Sequence, residues 1–482
     1  MTQSPDERKD RLKRLEALKE QGINPYPAHF ERTHTLAEAR ELKVGTVVTV
    51  AGRLMSRRVM GKIAFCHLQD TSDKLQIVFK AGDIPEAELQ FFVDHFDTGD
   101  FIGLTGEIFT TQKGELSILV KEYQILSKSL LPLPDKHHGL QDEDLKLRKR
   151  YLDLIMNPEL RELFVRRAKF WTATRNFLQQ AGFLEVETPV LETTTGGADA
   201  EPFVTHHNAL DIDVFLRIST GELWQKRLMI AGFEKTFEIG RQFRNEGMSR
   251  EHLQDYTQME CYWAYANYQQ MMKLTQDLYR HIAQEAYGTL KFTIGDHEVD
   301  LGAEWTLIDY RDIILEKMGI DILNASQEAI AEKLISLKVK PDTHASRGRL
   351  IDQLWKQLRP QISGPAFLIN HPVDVSPLAK RNPEKPELVE RFQIILAGSE
   401  MGNGYSELND PIDQAERFKE QSKLRDAGDK EAQMPDREFV EALEHGMPPV
   451  AGFGFSERLF SFLENKTARE CQLFPLVKPK EE

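Results

Sequence analysis

Five short runs of alternating apolar residues between Val47 and Leu126, broken once by a helical pattern, predict a small β-barrel at the front of the chain. A charged loop between two apolar strands near residue 250 predicts a second, mixed domain behind it. The fold class is therefore α+β, and the barrel's strand order, with its helix between the third and fourth strands, is that of an OB barrel. At 482 residues the chain exceeds the length at which one hydrophobic core stops growing, so two or more domains are expected. A composition of 40% hydrophobic and 29% charged residues is that of a soluble globular protein. No run of 18 apolar residues is present and the N-terminus is charged, so a cytoplasmic protein without membrane association is expected. Cys66, Cys261 and Cys471 are scattered, which suggests neither a disulfide framework nor a zinc site. A net charge of −14 argues against indiscriminate adhesion to nucleic acid, but not against a local face that selects one structured RNA.

Residues 1–22 read as a helix with Ser4 and Pro5 at its start, Gly22 at its end and Leu12, Leu15 and Leu18 on one stripe. Arg8, Lys9, Arg11, Lys13 and Arg14 are expected on its solvated face. In the barrel that follows, the second and third strands form the face on which such folds bind single-stranded nucleic acid. Phe65 is a strand residue able to stack on a base, and Arg57, Gln76 and Glu115 are candidates to read base edges. A proline-bearing connector, LLPLPDKHHG, marks the domain boundary. The amphipathic pattern FVRRAKFWTATRNFLQQAGF then stops at Gly182, and LEVETPVL is a short strand ending at Pro189. Gly196 and Gly197 are positions where backbone can approach a ligand closely.

The stretch from Phe237 to Tyr268 reads as a hairpin with chemistry at its mouth. Alternate strand residues share a face, so Arg244 and Glu246 point together before the loop, and Gln258, Glu260 and Tyr262 after it. An arginine at a strand end can grip a phosphate and a carboxylate, while the loop closes over a triphosphate. Residues 270–360 read as helices without a sharp motif. Farther on, Asn403, Tyr405 and Glu407 alternate onto one strand face past a Gly-Asn-Gly bend, with Glu400 before it. Arg458 stands where a Gly-rich strand runs into a helix, a costly place for a charge unless it meets an anion.

Together with LPLPDK, HGLQDED, KRYLDLI, EVETP, PFVTHHNAL, YWAYANY and NGYSELND, these features resemble the class II aminoacyl-tRNA synthetases of the lysine-specific type, from about Leu42 to Pro475. The helix, strand and Pro189 resemble the family's first motif, FRNEG the second and GFGFSERL the third. The resemblance implies an N-terminal helical extension over 1–41, an anticodon-binding OB fold over 42–130 and a linker over 131–145. It further implies a catalytic domain over 146–482, built on an antiparallel β-sheet flanked by helices, with a helical insertion at roughly 305–365. The implied reaction joins L-lysine to ATP as lysyl-adenylate and then transfers lysine to the terminal ribose of tRNA(Lys). Arg244 and Arg458 would be catalytic; Glu246, His252, Tyr256 and Glu400 would complete the ATP site, with Mg²⁺ on Glu400 and Gln393. Glu407 and Tyr262 would meet the ε-ammonium of lysine with Glu260 behind them, while Glu222, Gly197 and Asn403 take the α-amino end. Arg57, Phe65, Gln76 and Glu115 would read the central anticodon base, and the first motif implies a homodimer.

The sequence departs from the family pattern in four places. Gln393 stands where a second metal-binding glutamate is usual, and Glu251 where a loop arginine helps hold the γ-phosphate, with Arg250 next door as the candidate substitute. Ser456 and Glu457 precede Arg458 in a third motif whose register is ambiguous by one residue, and Glu201 stands where a basic residue is common. Two other readings stay open: a relative that charges a different acceptor, and an inactive protein using only its barrel.

Overall fold

In the computed structural model, residues 5–134, 140–198, 200–247, 249–341, 346–426 and 432–479 are described; Ser4 and residues 135–139 of the connector lie outside them. The chain forms two compact units, Met1–Asp142 and Glu143–Glu482. The first holds helices α1 (Pro5–Glu20) and α2 (Leu36–Arg40), strands β1 (Val47–Met60), β2 (Ile63–Gln69) and β3 (Lys74–Lys80), helix α3 (Glu86–His95), then β4 (Phe101–Thr110) and β5 (Leu116–Ser127). The strands close into a barrel in the order β1-β2-β3-β5-β4, with the helix where the OB order requires it. Phe92 of α3 covers one end, stacked on Phe79 of β3 with ring centroids 3.9 Å apart.

Helix α1 differs from the expected solvated cation face. Arg8, Lys9 and Lys13 are exposed, but Arg11 is buried and donates to the carbonyls of Thr98 (3.1 Å) and Ser129 (3.2 Å), and Arg14 pairs with Asp97. Leu15 and Leu18 bury the same side. Two of the five cations thus anchor the helix to the barrel.

The second unit opens with α4 (Glu143–Arg148), α5 (Arg150–Met156) and α6 (Glu159–Gln180), followed by short strands β6 (Leu184–Glu185), β7 (Leu191–Glu192), β8 (Val204–His207) and β9 (Ile212–Leu216). Helix α7 (Glu222–Ile230) leads into the hairpin β10 (Lys235–Phe243) and β11 (Asp255–Ala264), then α8 (Tyr268–Tyr287). Next come β12 (Lys291–Ile294), β13 (His297–Asp300), β14 (Thr306–Asp309), α9 (Tyr310–Met318), α10 (Gln327–Ser336) and α11 (Arg347–Leu358). The chain closes with β15 (Ala366–Pro372), β16 (Leu388–Leu396), β17 (Ser399–Ser406), α12 (Pro411–Asp426), α13 (Arg437–Glu444), β18 (Val450–Ser456) and α14 (Arg458–Leu463).

Eight of these strands form one sheet in the order β14-β15-β16-β17-β18-β11-β10-β6, antiparallel through its middle and parallel at both edges. Its period of two divides the work. Met259, Cys261, Phe453 and Phe455 join Phe170, Leu278 and Ile282 of α6 and α8 in the main core, while Glu260, Tyr262, Gly452 and Gly454 face the other way. Helix α8 is set by its ends: Asn267 and Gln270 form a capping box, and Gly288 closes it in the left-handed region at φ +68°. Helices α9, α10 and α11 bury Ile314, Leu334 and Trp355 in a separate core against Ile395 of the sheet. No helix among the described residues is long and apolar enough to cross a membrane.

Candidate functional site

A cavity of about 600 Å³ opens on the polar face of the sheet. It is lined by Gly197, Glu222, Arg244, Glu246, His252, Tyr256, Glu260, Tyr262, Gln393, Glu400, Asn403, Glu407 and Arg458, so every expected small-molecule contact converges on one space. The hairpin pairs as far as Phe243 opposite Asp255, and one more backbone bond, Arg244 N–H to the carbonyl of Gln254 at 2.8 Å, fixes the start of the loop. Arg244 Nε donates to the carbonyl of Ile218 at 3.2 Å, and its guanidinium lies 5.8 Å from the Tyr256 ring centre.

No bend interrupts the chain at Gly402-Asn403-Gly404; β17 runs straight through it, and the turn lies at Ala397 and Gly398. The glycines serve packing instead. A Cβ at Gly404 would fall 2.6 Å from the Phe392 ring, and one at Gly402 would fall 2.8 Å from Phe453. A bulge sets Gln393 opposite Asn403 and Ile395 opposite Glu400, which turns Glu400 and Asn403 onto the cavity face although they are three residues apart.

At one end lie three buried carboxylates. Glu260 accepts from Thr220 N–H (2.8 Å), Gln258 Nε2 (2.5 Å) and Tyr262 OH (3.0 Å); burial, then the charge of Glu222, pushes its pKa up to about 7. Glu222 and Glu407 meet across a lysine that sequence reading overlooked. Lys226, 1% exposed, places Nζ 2.6 Å from Glu222 and 2.5 Å from Glu407. Burial opposes its charge, but the two carboxylates outweigh it and raise its pKa. Three carboxylates share one ammonium here, and burial pushes Glu407 well up despite Lys226 beside it, so this end of the cavity favours a further cation that would hold the acids ionised. Backbone gives them room: a Cβ at Gly452 would sit 2.1 Å from Glu407 Oε1, and Gly197, at φ +86°, passes so close that a Cβ would meet Ser219 at 2.6 Å. Asn403 Oδ1 accepts from Arg391 Nε at 2.8 Å, so its amide N–H₂ is the group left for a ligand, a donor unsuited to an amino group.

At the other end stand arginines. Arg458 pairs with Glu251 and donates to Ser399 Oγ at 2.9 Å, while its Nε is buried without a partner. Arg250 is exposed on the loop and is not among the cavity's lining residues; its carbonyl accepts from Ala468 N–H at 3.0 Å. Glu400 pairs at 2.8 Å with Arg359, from the 3-10 turn Arg359–Gln361 after α11. Glu457 accepts from Arg167 and Gln472, tying α6 to the start of α14, and β18 registers Ser456 opposite Gln258. The carbonyl of Glu201 holds Asn245 N–H at 2.7 Å and so anchors the hairpin loop.

The donor set at Glu400 and Gln393 does not make a resident metal site. Glu400 Oε1 already accepts from Arg359 and from Trp355 Nε1 (3.0 Å), and Oε2 accepts from Gln393 Nε2 (3.1 Å). Since a carboxylate only accepts, Gln393 must turn its nitrogen toward Glu400, and its oxygen is held by His371 at 3.1 Å. Among the described residues no three His, Cys, Asp or Glu side chains gather as metal ligands. Gln393 is therefore an orienting residue rather than a metal ligand.

On the barrel, a register shift between Leu54 and Ser56 changes the parity of β1. Arg57 consequently pairs across from buried Cys66 and donates to the carbonyls of Val93 (2.7 Å) and Phe96 (2.6 Å) at the end of α3. It is occupied inside the fold. Arg58, exposed, lies opposite Phe65 and shares its outward face. Gln76 is buried, donating to Glu115 at 2.8 Å and accepting from Ser117 Oγ at 2.9 Å, with His67 3.6 Å from Glu115. Phe65, Gln76 and Glu115 thus stay together on the outward face of β2 and β3 with Arg58 in place of Arg57.

Residues 142–478 match the family model of class II tRNA synthetases (D, K and N), and residues 48–126 that of the OB-fold nucleic acid binding domain. The lysine–tRNA ligase of Thermotoga maritima is 45% identical over 488 residues, covering 98% of this chain and 96% of its own. Those of Roseiflexus sp. (strain RS-1), 45% identical over 481 residues and 98% of both chains, and Thermosipho africanus, 43% identical over 483 residues, covering 98% of this chain and 96% of its own, agree. The chain belongs to the lysine–tRNA ligase family of class II tRNA synthetases. In this chain the cavity carries the Glu251–Arg458 pair, the amide of Gln393 on Glu400 and the guanidinium of Arg359 on the same carboxylate.

Proposed function

We propose that the cavity activates L-lysine with ATP and that the chain transfers the lysyl group to the 3′-terminal ribose of tRNA(Lys), giving lysyl-tRNA, AMP and pyrophosphate. The observation that carries the choice of lysine is the balance of groups: three buried carboxylates with Lys226 as their one cation suit the two ammonium groups of lysine, and Arg244 on the same cavity suits its carboxylate. Buried acids left without cations would be costly, so analogues lacking the ε-ammonium are rejected. Glu407 and Tyr262 take the ε-ammonium, Glu260 holds the Tyr262 hydroxyl, and Glu222 with the Gly197 backbone takes the α-amino group. Asn403, whose free donors suit an anion, sits with Arg244 on the carboxylate.

In the first step a lysine carboxylate oxygen attacks the α-phosphorus, a P–O bond forms, and the bond to pyrophosphate breaks. Arg244 stabilises the charge that builds on the phosphorus oxygens, Tyr256 stacks under the adenine, Glu246 and His252 flank the nucleotide, and Arg458 holds the departing pyrophosphate. In the second step the ribose hydroxyl attacks the lysyl carbonyl carbon, AMP leaves, and the hydroxyl proton is released. No side-chain nucleophile is needed. ATP would enter as its magnesium complex, and Glu400 would be the carboxylate available to that ion once released from Arg359. On the barrel, Phe65 stacks on the central anticodon base while Arg58, Gln76 and Glu115 face its edges. We further propose a cytoplasmic homodimer, supported by exposed apolar residues on the short strands β6 to β9: Leu184, Leu191, Val204 and Ile212. The test is formation of lysyl-tRNA from labelled lysine, ATP and tRNA(Lys): ATP-dependent charging is expected, whereas adenylate without charging would favour a different acceptor.

A further inference from the structure

The triphosphate end of the cavity holds more cation than the nucleotide contacts named above use. Arg359 donates to Glu400 at 2.8 Å from a turn locked to the sheet: Ala397 N–H bonds to the carbonyl of Ser363 (2.7 Å) and Gly398 N–H to that of Ile362 (2.8 Å). Trp355, buried in the α9–α11 core, steers the same carboxylate from the adjoining turn of α11. The guanidinium is thus preorganised beside the β16–β17 hairpin on a rigid support. Across the same space Arg458 pairs with Glu251, on a loop, and keeps a buried Nε with no acceptor. Each arginine therefore stands on a single carboxylate with donor capacity unspent, in a cavity otherwise shaped for a polyanion. Arg359 is close enough to Arg458 and His252 for its charge to press on both.

We propose that Arg359 is a triphosphate-binding residue of this chain, which together with Arg458 receives the β- and γ-phosphates of ATP and stabilises the departing pyrophosphate. Two carboxylate–guanidinium pairs open when the nucleotide enters and two phosphate–guanidinium contacts replace them. The exchange releases Glu400 from Arg359 and moves Glu251, with its loop, off the phosphate site. A guanidinium supplied from the helical insertion fills the place left empty by the exposed Arg250.

The inference rests on the lysine-activating reading, and its test separates the two. Wild-type protein, Arg359→Ala and Arg359→Gln are compared for lysine-dependent ATP–pyrophosphate exchange and for binding of ATP, pyrophosphate, AMP and lysine by calorimetry. The expected result is a weakening of ATP and pyrophosphate by about tenfold or more, with AMP and lysine affinities within about twofold of wild type. Arg359→Gln, which keeps donors without the charge, should lie between wild type and Arg359→Ala and serves as the readout if the alanine variant does not fold. Unchanged ATP and pyrophosphate affinities would overturn the proposal, and so would equal losses for ATP and AMP, which would make Arg359 a support of the pocket rather than a phosphate contact. A wild type that gives no lysine-dependent exchange would instead refute the functional reading itself.

Discussion

Replacing Lys226 by methionine tests the charge balance at the lysine end of the cavity. The side chain is 1% exposed, and its Nζ holds Glu222 at 2.6 Å and Glu407 at 2.5 Å, carboxylates that are themselves 6% and 1% exposed. Methionine fills much the same volume, so little of the loss comes from packing. What remains is two buried carboxylates facing each other without a cation, and removing one partner of a buried ion pair costs about 3–5 kcal/mol. At roughly 2–4 °C per kcal/mol, Lys226→Met should lower the melting temperature by on the order of 10 °C. The double variant Lys226→Met with Glu407→Gln removes one of the stranded charges and should recover about 1–3 kcal/mol relative to Lys226→Met alone. Thermal and denaturant unfolding of the four proteins in the cycle measure both quantities. A melting temperature within about 2 °C of wild type, or strictly additive effects, would show that the pocket does not carry the charges assigned to it.

Three further outcomes follow from the same geometry. Glu260, with its pKa near 7, must be ionised to favour an ammonium, so lysine affinity should be flat above about pH 7.5 and fall about tenfold per unit below 7; calorimetric titration across that range measures it, and Glu260→Gln should flatten the profile. Arg458→Ala should slow adenylate formation about a hundredfold in pre-steady-state assays, the scale of one transition-state charge contact. On the barrel, Arg58→Ala should raise the KM for tRNA while sparing pyrophosphate exchange, whereas Arg57→Ala should mainly lower stability, by about 1–3 kcal/mol, because it strands the carbonyls of Val93 and Phe96.

Much of this site is legible in the sequence. The period-two pattern put Gln258, Glu260 and Tyr262 on one face, and they are hydrogen-bonded side by side. That pattern counts residues evenly, however, and it fails wherever a strand does not. The shift at Leu54 and Ser56 exchanges Arg57 for Arg58, and nothing in the local sequence LMSRR announces it. Lys226 was visible as a glutamate–lysine pair four residues apart on α7, but such pairs are ordinary on solvated helices, and only the packing of α7 against β11 makes this one a buried charge. Arg359 carried no signal at all. Its meaning depends on long-range docking of the turn after α11 onto β16 and β17, whereas its neighbours in sequence read as an unremarked helical stretch. Arg11 shows the converse error, since a cation on an amphipathic helix was expected in solvent and instead satisfies two barrel carbonyls.

The central claim is that the surplus of buried carboxylates over cations selects lysine. Lysine-dependent ATP–pyrophosphate exchange, measured with wild-type protein against every standard amino acid in turn, tests it most directly. The account predicts strong exchange with lysine and little with arginine or any uncharged side chain, since each leaves an acid unpaired or misplaced. Exchange driven by another amino acid, with lysine silent, would contradict it.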